Sequence, residues 1–435
     1  MFLYDNLPVY ILIGLILITI SIFVYIKLAF PFWNVQPVYH VYDFWRCLYS
    51  RPFRIYPRFH AGVKTRFCKG DVVDIVPYVD ASIEQKKAFV NLVQCYSSID
   101  ESVMCMFHLD NLDAYMNGHI YGSYLSFYKP KRIALGDGEI IKEEKPTGCV
   151  ASRSGELIVR GHKELVYWMD YMSVSGTGVN GTSTGATAKI KRELFETHVY
   201  KVGLIQWKEL VEGAIGVWLF RRVGELLSGV VPLVRFFRRE YEIPNNPGFF
   251  RVVYPEHVVL VEISGANIRK LTDGLDACRG HFEVWGMMDE GCLVGLIKAS
   301  VIKVYLLERN GDVLAMYFFR DTRMVIERSD SGSGGSGPER LDGKGSGGAY
   351  RAVLELSGSI YIEGGVGLFR RGFLGSLGEI IKKSSVYRRL CVDDISDNSI
   401  LDFGEWYCLD NTTGAYYTWN FITGSSSFSR VFILF

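Results

Sequence analysis

Residues Val9 to Ile26, VYILIGLILITISIFVYI, run for 18 residues without a charge. A run like this has few ways to fold. As a helix it would be about 27 Å long, close to the roughly 30 Å hydrocarbon core of a bilayer. Thr19 and Ser21 are its weakly polar breaks, and Tyr10 and Tyr25 sit near its ends, where aromatic rings favour the membrane interface. A secretory leader would show a basic stretch before the run and a small-residue cleavage site after it. Here MFLYDNLP precedes it and KLAFPFW follows. We expect a retained single-span anchor over residues 1–30, the alternative being a buried core helix. Lys27, Arg46, Arg51, Arg54 and Arg58 follow the run and no Lys or Arg precedes it, so the expected orientation leaves the large remainder on the cytosolic side.

That remainder is long enough for two domains of ordinary size. With 49% hydrophobic and 22% charged residues, the chain can bury a large core. A net charge of +1 gives no long-range attraction to nucleic acid. Nine cysteines without a CxxC pair fit reduced thiols better than a disulfide framework, and eight histidines without HExxH or a His/Cys cluster give metal chemistry no support.

Strand and helix patterns alternate from about residue 71. DVVDIVPYV is strand-like, and SIEQKKAFVNLVQCYSSI has helical spacing behind Ser82 as N-cap. YGSYLSFY, GCVASRSGELIV, Val166–Val174 and AIGVWLFRR follow as strands, giving an antiparallel α/β domain to about Pro232. A second half begins near Pro244. Its expected strands include HVVLVEIS, a hairpin around Asn310-Gly311 and GSIYIEGGVGLF, and FLGSLGEIIKKSSVYRRL reads as helix. Ser329–Ala349 is a Gly/Ser-rich excursion.

Between the strand ending at Val174 and the helix beginning near Lys189 lies a Gly, Ser, Thr and Asn run with no basic residue from Ser175 to Ala188. Strand, Gly-rich turn and helix together can cradle a phosphate on backbone N–H groups. The best-placed amides are those of Gly185, Ala186, Thr187 and Ala188, with Lys189, Lys191 and Arg192 nearby. The acids of DDISDN, Asp393–Asn398, fit an Asx-rich cap better than acid/base catalysts, and His198 reads as a packed or surface histidine. Arg221 and Arg222 read as a solvated face, with an acidic ligand as the alternative.

Several stretches in order carry a family resemblance. FWNVQPV (32–38), YWMDYMSV (167–174) and YYTWNF (416–421) resemble motifs of the glycylpeptide N-tetradecanoyltransferases, or N-myristoyltransferases. QPVYHVYDFW, GCVASR, FETHVY, FRRVGELLSGVVPL, MYFFRDT and DDISDN are similar to the versions encoded by large cytoplasmic DNA viruses. The resemblance spans residues 32 to 435. It implies an α/β (α+β) fold of two tandem acetyltransferase-like halves with mixed sheets, residues 31–240 and 241–435, behind one transmembrane helix. It also implies a long-chain acyl-CoA (myristoyl-CoA) as co-substrate, with no permanently bound cofactor and no metal, and protein or peptide N-termini as acceptors. Phe32, Trp33, Ser173, Val174, Gly185, Ala186, Thr187, Ala188 and Lys189 would contact the acyl-CoA. The backbone amides of Tyr171 and Met172 would form the oxyanion hole, and the C-terminal carboxylate of Phe435 would be the base. This sequence departs from the enzymes where their phosphate turn is basic. Two functions are therefore expected: a membrane-anchored N-acyltransferase, or an inactive fold serving as a membrane-tethered structural or docking component of a virus particle, among other virion proteins.

Overall fold

In the computed structural model, the structure describes residues 7–29, 37–41, 51–56, 64–96, 103–129, 145–175, 185–209, 215–224, 226–327 and 350–435. The apolar run forms helix α1 (Leu7–Ala29). Its residues Pro8–Tyr25 are long and apolar enough to cross a membrane, and none of them is buried against the rest of the chain.

The remainder repeats one unit. In the first half, β4 (Ser123–Tyr128), β5 (Gly148–Val159) and β6 (His162–Val174) form an antiparallel meander. Helix α4 (Gly185–Glu209) then crosses over to β7 (Val217–Val223), which runs parallel to β6. In the second half, β11 (Ile302–Arg309), β12 (Asp312–Glu327) and β13 (Tyr350–Tyr361) repeat the meander. Helix α7 (Val366–Lys383) repeats the crossover, to β14 (Tyr387–Asp393), parallel to β13. The tight hairpins also correspond. Arg160-Gly161 and Asn310-Gly311 both place two consecutive residues at positive φ, as a two-residue turn between right-twisted strands requires. This is the expected tandem, mixed-sheet α/β architecture. The first half is not purely antiparallel, because β7 joins it in parallel.

The halves share one sheet. Strand β15 (Cys408–Trp419) lies between β7 and β8 (Val234–Glu242), and β8 continues into β14. Strand β10 (Val284–Met288) pairs with β5, and the final strand β17 (Val431–Leu434) adds in parallel to β10. The last segment of the chain thus returns to the first half's sheet, and Val431 to Leu434 are all buried.

Helix α2 (Ile83–Tyr96) starts as expected: Ser82 Oγ accepts from Gln85 N at 3.3 Å and Gln85 Oε1 accepts from Ser82 N at 2.8 Å, a reciprocal cap. Two elements differ from the expectation. GSIYIEGGVGLF divides after Tyr361, because Gly364 and Gly365 take φ of 98° and 88°, which neither strand nor helix continues. SSVYRRL leaves the helix, and Tyr387 begins β14. Three short helices were not foreseen, α3 (Leu109–Met116), α5 (Ile268–Cys278) and α6 (Glu290–Lys298). The eight described cysteines are free thiols, as composition predicts. The second Gly/Ser excursion lies outside the described residues.

Candidate active site

Strand β6 pairs regularly with β5 up to Ala151↔Asp170, and the ladder resumes at Cys149↔Ser173. Tyr171 and Met172 therefore bulge out opposite Val150, with Tyr171 at φ 53°. On its other edge β6 pairs with β7 only as far as Trp168↔Leu219, after which β7 continues alongside β15. The sheet opens into a V at the point where β6 bulges. Backbone groups released from a ladder in this way are available to an incoming polar ligand.

The bulge is held from both sides. Just before it, Asp170 accepts from Arg153 Nε at 2.7 Å and from Trp168 Nε1 at 2.5 Å. Arg153 has no exposed surface. Burial works against its charge, and Asp170 more than restores it. The Tyr171 ring packs against Phe107 at 4.8 Å and Tyr115 at 5.8 Å, and burial pushes its hydroxyl well above the usual phenol range. This packing holds a residue that is not glycine in left-handed backbone.

Phe435 packs on the same strand, ahead of the bulge. Its ring stacks on Trp168, with centroids 5.0 Å apart and planes within 3°. Beneath the ring lie two glycines on neighbouring strands, Gly155 of β5 and Gly286 of β10. A Cβ at Gly155 would come within 2.3 Å of Phe435 Cε1, and one at Gly286 within 2.9 Å of Cε2, so only glycine leaves room for the ring. The structure thus places Phe435 against Trp168, three residues before Tyr171 on the same strand.

The remaining expected site residues divide. Ser173 and Val174 are buried where the ladder resumes. Gly185 opens α4, and a Cβ there would meet nothing within 4 Å. Ala186, Ala188 and Lys189 are exposed around the first turn, whereas Thr187 is buried. The Arg192 guanidinium lies 3.5 Å from the centroid of the Phe67 ring. His198 is buried within α4, within 2.5 Å of Ser126 Oγ, and burial pushes its pKa down to about 3, so it is neutral. Phe32, Trp33 and residues 176–184 of the Gly-rich turn lie outside the described residues.

The second half has the equivalent opening, and the chain itself fills it. Strands β13 and β14 part after Leu356↔Val392, and Ser357 falls out of the β12–β13 ladder. The segment Ser396–Ile400 fills the gap: Asn398 Nδ2 donates to Leu356 O at 3.3 Å and to Asp393 O at 2.9 Å. Ser359 Oγ donates to Asn398 Oδ1 at 2.7 Å, and Asp397 Oδ2 accepts from Tyr361 N at 2.7 Å. DDISDN is therefore a polar plug that satisfies free strand edges of the second half.

Sequence reading missed Arg153, Gly155, Trp168, Asp170 and Gly286. Nothing local marks them, because their roles depend on strands that meet only in the folded sheet.

No family model matches the sequence, and no curated protein matches it. Solved structures do. The N-myristoyltransferase of Saccharomyces cerevisiae with bound myristoyl-CoA aligns at a TM-score of 0.66 and 10% identity, covering 93% of this chain and 94% of that one. Another crystal structure of the yeast enzyme with bound myristoyl-CoA gives 0.64 and 10% identity, over 93% and 99% of the two chains. At this identity the likeness establishes the fold: two tandem acetyltransferase-like halves in the N-myristoyltransferase arrangement, with one apolar N-terminal helix in addition.

Proposed function

We propose that the chain is a membrane-anchored N-acyltransferase that moves a long acyl chain from acyl-CoA to the N-terminal glycine amine of a protein or peptide. The observation that supports this reading is the Tyr171–Met172 bulge at the open V of the first half's sheet, with Phe435 stacked on Trp168 of the same strand. An α-amine has a pKa near 8, so at neutral pH most of it is ammonium and cannot attack. The Phe435 carboxylate takes a proton from the ammonium. The free amine attacks the thioester carbonyl carbon, and the carbonyl oxygen takes the electron pair as an oxyanion. The amides of Tyr171 and Met172 hold that oxyanion. Collapse re-forms the carbonyl and breaks the C–S bond, and the second proton of the attacking nitrogen passes to the departing CoA sulfur, so the products are the amide and CoA thiol. Asp170, clamped by Arg153 and Trp168, is the positioning residue for the bulge.

The co-substrate is a long-chain acyl-CoA such as myristoyl-CoA, the ligand of the yeast structures. Its phosphates would meet the exposed N-terminus of α4, with Gly185, Ala186, Ala188 and Lys189. Helix α1, about 34 Å long over 23 residues, suits a single membrane span, with the catalytic part on the cytosolic side. One observation favours the second reading, a catalytically silent, membrane-tethered component of a virus particle: no Lys or Arg stands between Ser175 and Ala188 to neutralise CoA phosphates. Titrating full-length protein in detergent with myristoyl-CoA and then adding a glycine-starting peptide separates the two. The transferase reading expects micromolar or tighter binding and an acylated peptide. If myristoyl-CoA does not bind, the transferase reading falls.

A further inference from the structure

Where the shared sheet passes from one half to the other, one face carries charge. Arg221 of β7, Arg238 of β8 and Arg320 of β12 converge on Glu355 of β13, at 3.1, 2.8 and 2.7 Å. Arg221 and Arg238 also reach Asp393 at the end of β14. The two acids are sealed, with side chains 2% and 5% exposed, whereas the three arginine side chains keep 17%, 22% and 23%. The surface that remains open is therefore cationic. Three guanidiniums face two carboxylates, an excess of one positive charge, and Arg221 Nε is buried with no hydrogen-bond partner. Burial works against Glu355, yet Arg320, Arg238 and Arg221 hold it well below the usual carboxylate range, so it is ionised. Burial raises Asp393, and Arg221 and Arg238 offset this only in part. A network serving stability alone gains nothing from an uncompensated charge.

This cationic floor adjoins the proposed reaction centre. Arg221 lies 5.8 Å from the ring of Tyr416, which lies 5.6 Å from Trp168, which stacks on Phe435. Arg320 is close enough for its charge to act on the hydroxyls of Tyr115 and Tyr171. The separation from Phe435 is within reach of about five residues of extended chain at ~3.3 Å each.

We propose that Arg221, Arg238 and Arg320 form an acceptor subsite, and that the preferred acceptor carries an Asp or Glu side chain within its first few residues. This rests on the transferase reading and adds the class of acceptor to it. A carboxylate arriving at the open guanidiniums makes charge-assisted, forked hydrogen bonds and cancels the excess charge.

The test uses full-length protein in detergent and three dye-labelled peptides that begin with glycine and differ only at residues two to five, carrying Asp/Glu, Asn/Gln or Lys. Binding is read by fluorescence anisotropy, with and without a non-cleavable thioether analogue of myristoyl-CoA. Acyl transfer to the same peptides is measured separately. The acidic peptide is expected to bind about tenfold or more tighter than the neutral one, with the preference shrinking as salt rises. Arg221→Lys keeps the charge but loses the fork, and should reduce the preference several-fold with little change in thermal midpoint. Equal binding of acidic and neutral peptides by the parent, a preference for Lys, or no peptide binding in either condition overturns the subsite. If acyl transfer proceeds equally to all three peptides, the transferase reading stands and the subsite fails. If the acidic peptide binds selectively and no acyl group moves, the anion site stands and the transferase reading fails.

Discussion

Adding a single methyl group at Gly155 tests whether the position of Phe435 matters to the chemistry. A Cβ there sits 2.3 Å from Phe435 Cε1 and 2.7 Å from Met287 O. Carbon atoms in contact settle at about 3.5–4.0 Å, so the ring has to withdraw by about 1 Å or more. At Gly286 the distance to Cε2 is 2.9 Å, with Ile433 Cγ1 at 3.2 Å, so a smaller shift relieves it. Overpacking of this kind costs about 1–3 kcal/mol of stability, read as a fall of a few degrees in the thermal midpoint. Its effect on rate should be larger, because a 1 Å misplacement of a reacting group costs on the order of 100-fold. Single-turnover acyl transfer should therefore fall about 100-fold in Gly155→Ala and about tenfold in Gly286→Ala. The affinity for acyl-CoA should stay within about twofold, since neither glycine lies near the start of α4. Two folded variants with parental transfer rates would show that where Phe435 sits is irrelevant to the reaction.

Three further outcomes are expected. His119 Nδ1 faces Asp289 Oδ2 at 3.3 Å and Ser154 O at 3.0 Å, while Nε2 faces Tyr115 O at 2.8 Å, so both ring nitrogens meet acceptors and the imidazolium fits best. Burial lowers its pKa, but Asp289 and Cys292 bring it up to about 9, above the ordinary 6.5. The folded state thus holds a proton that the unfolded state releases between about pH 6.5 and 9, and this contribution is complete below pH 6.5 and lost as pH rises through 9. Urea unfolding should show stability falling across that window, less so in Asp289→Asn, and a flat profile would refute the pair. Tyr171→Val should lower transfer more than acyl-CoA binding, because a β-branched residue resists φ near 53°, and an unchanged turnover would detach the bulge from catalysis. Full-length protein should resist an alkaline carbonate wash and a chain starting at Phe32 should be released; release of both would remove the anchor.

The parts of the fold legible in the sequence were those set by local pattern. The apolar run at Val9–Ile26, the cap at Ser82 and the Asn310-Gly311 hairpin each carry their own signal over a few residues. Strand GCVASRSGELIV also has the expected bounds and ends at the Arg160-Gly161 turn. The meeting of distant strands was not legible. Gly155 and Gly286 are ordinary strand glycines until β5, β10 and the chain's last residue come together, and only then is the missing Cβ a requirement. Arg221 illustrates the same limit from the charge side. An Arg-Arg pair on a strand reads as a solvated face, but the sheet places Arg221 over two buried acids contributed from more than 130 residues away. DDISDN looked like a cap or a pair of catalytic acids. Its actual role, plugging an opened strand pair, needs β13 and β14 in place to be seen.

The central claim is that acyl transfer at the Tyr171–Met172 bulge uses the carboxylate of Phe435. Two glycines added after Phe435 displace that carboxylate by about 6–7 Å along the strand direction, beyond hydrogen-bond reach of an amine at the bulge. The measurement is transfer of a labelled myristoyl group to a glycine-starting peptide by the parent and the extended chain side by side, with myristoyl-CoA affinity determined for both. The account predicts transfer by the parent and loss of most of it in the extended chain, at unchanged affinity. Transfer at the parental rate by the extended chain, or binding without transfer by both, would contradict it.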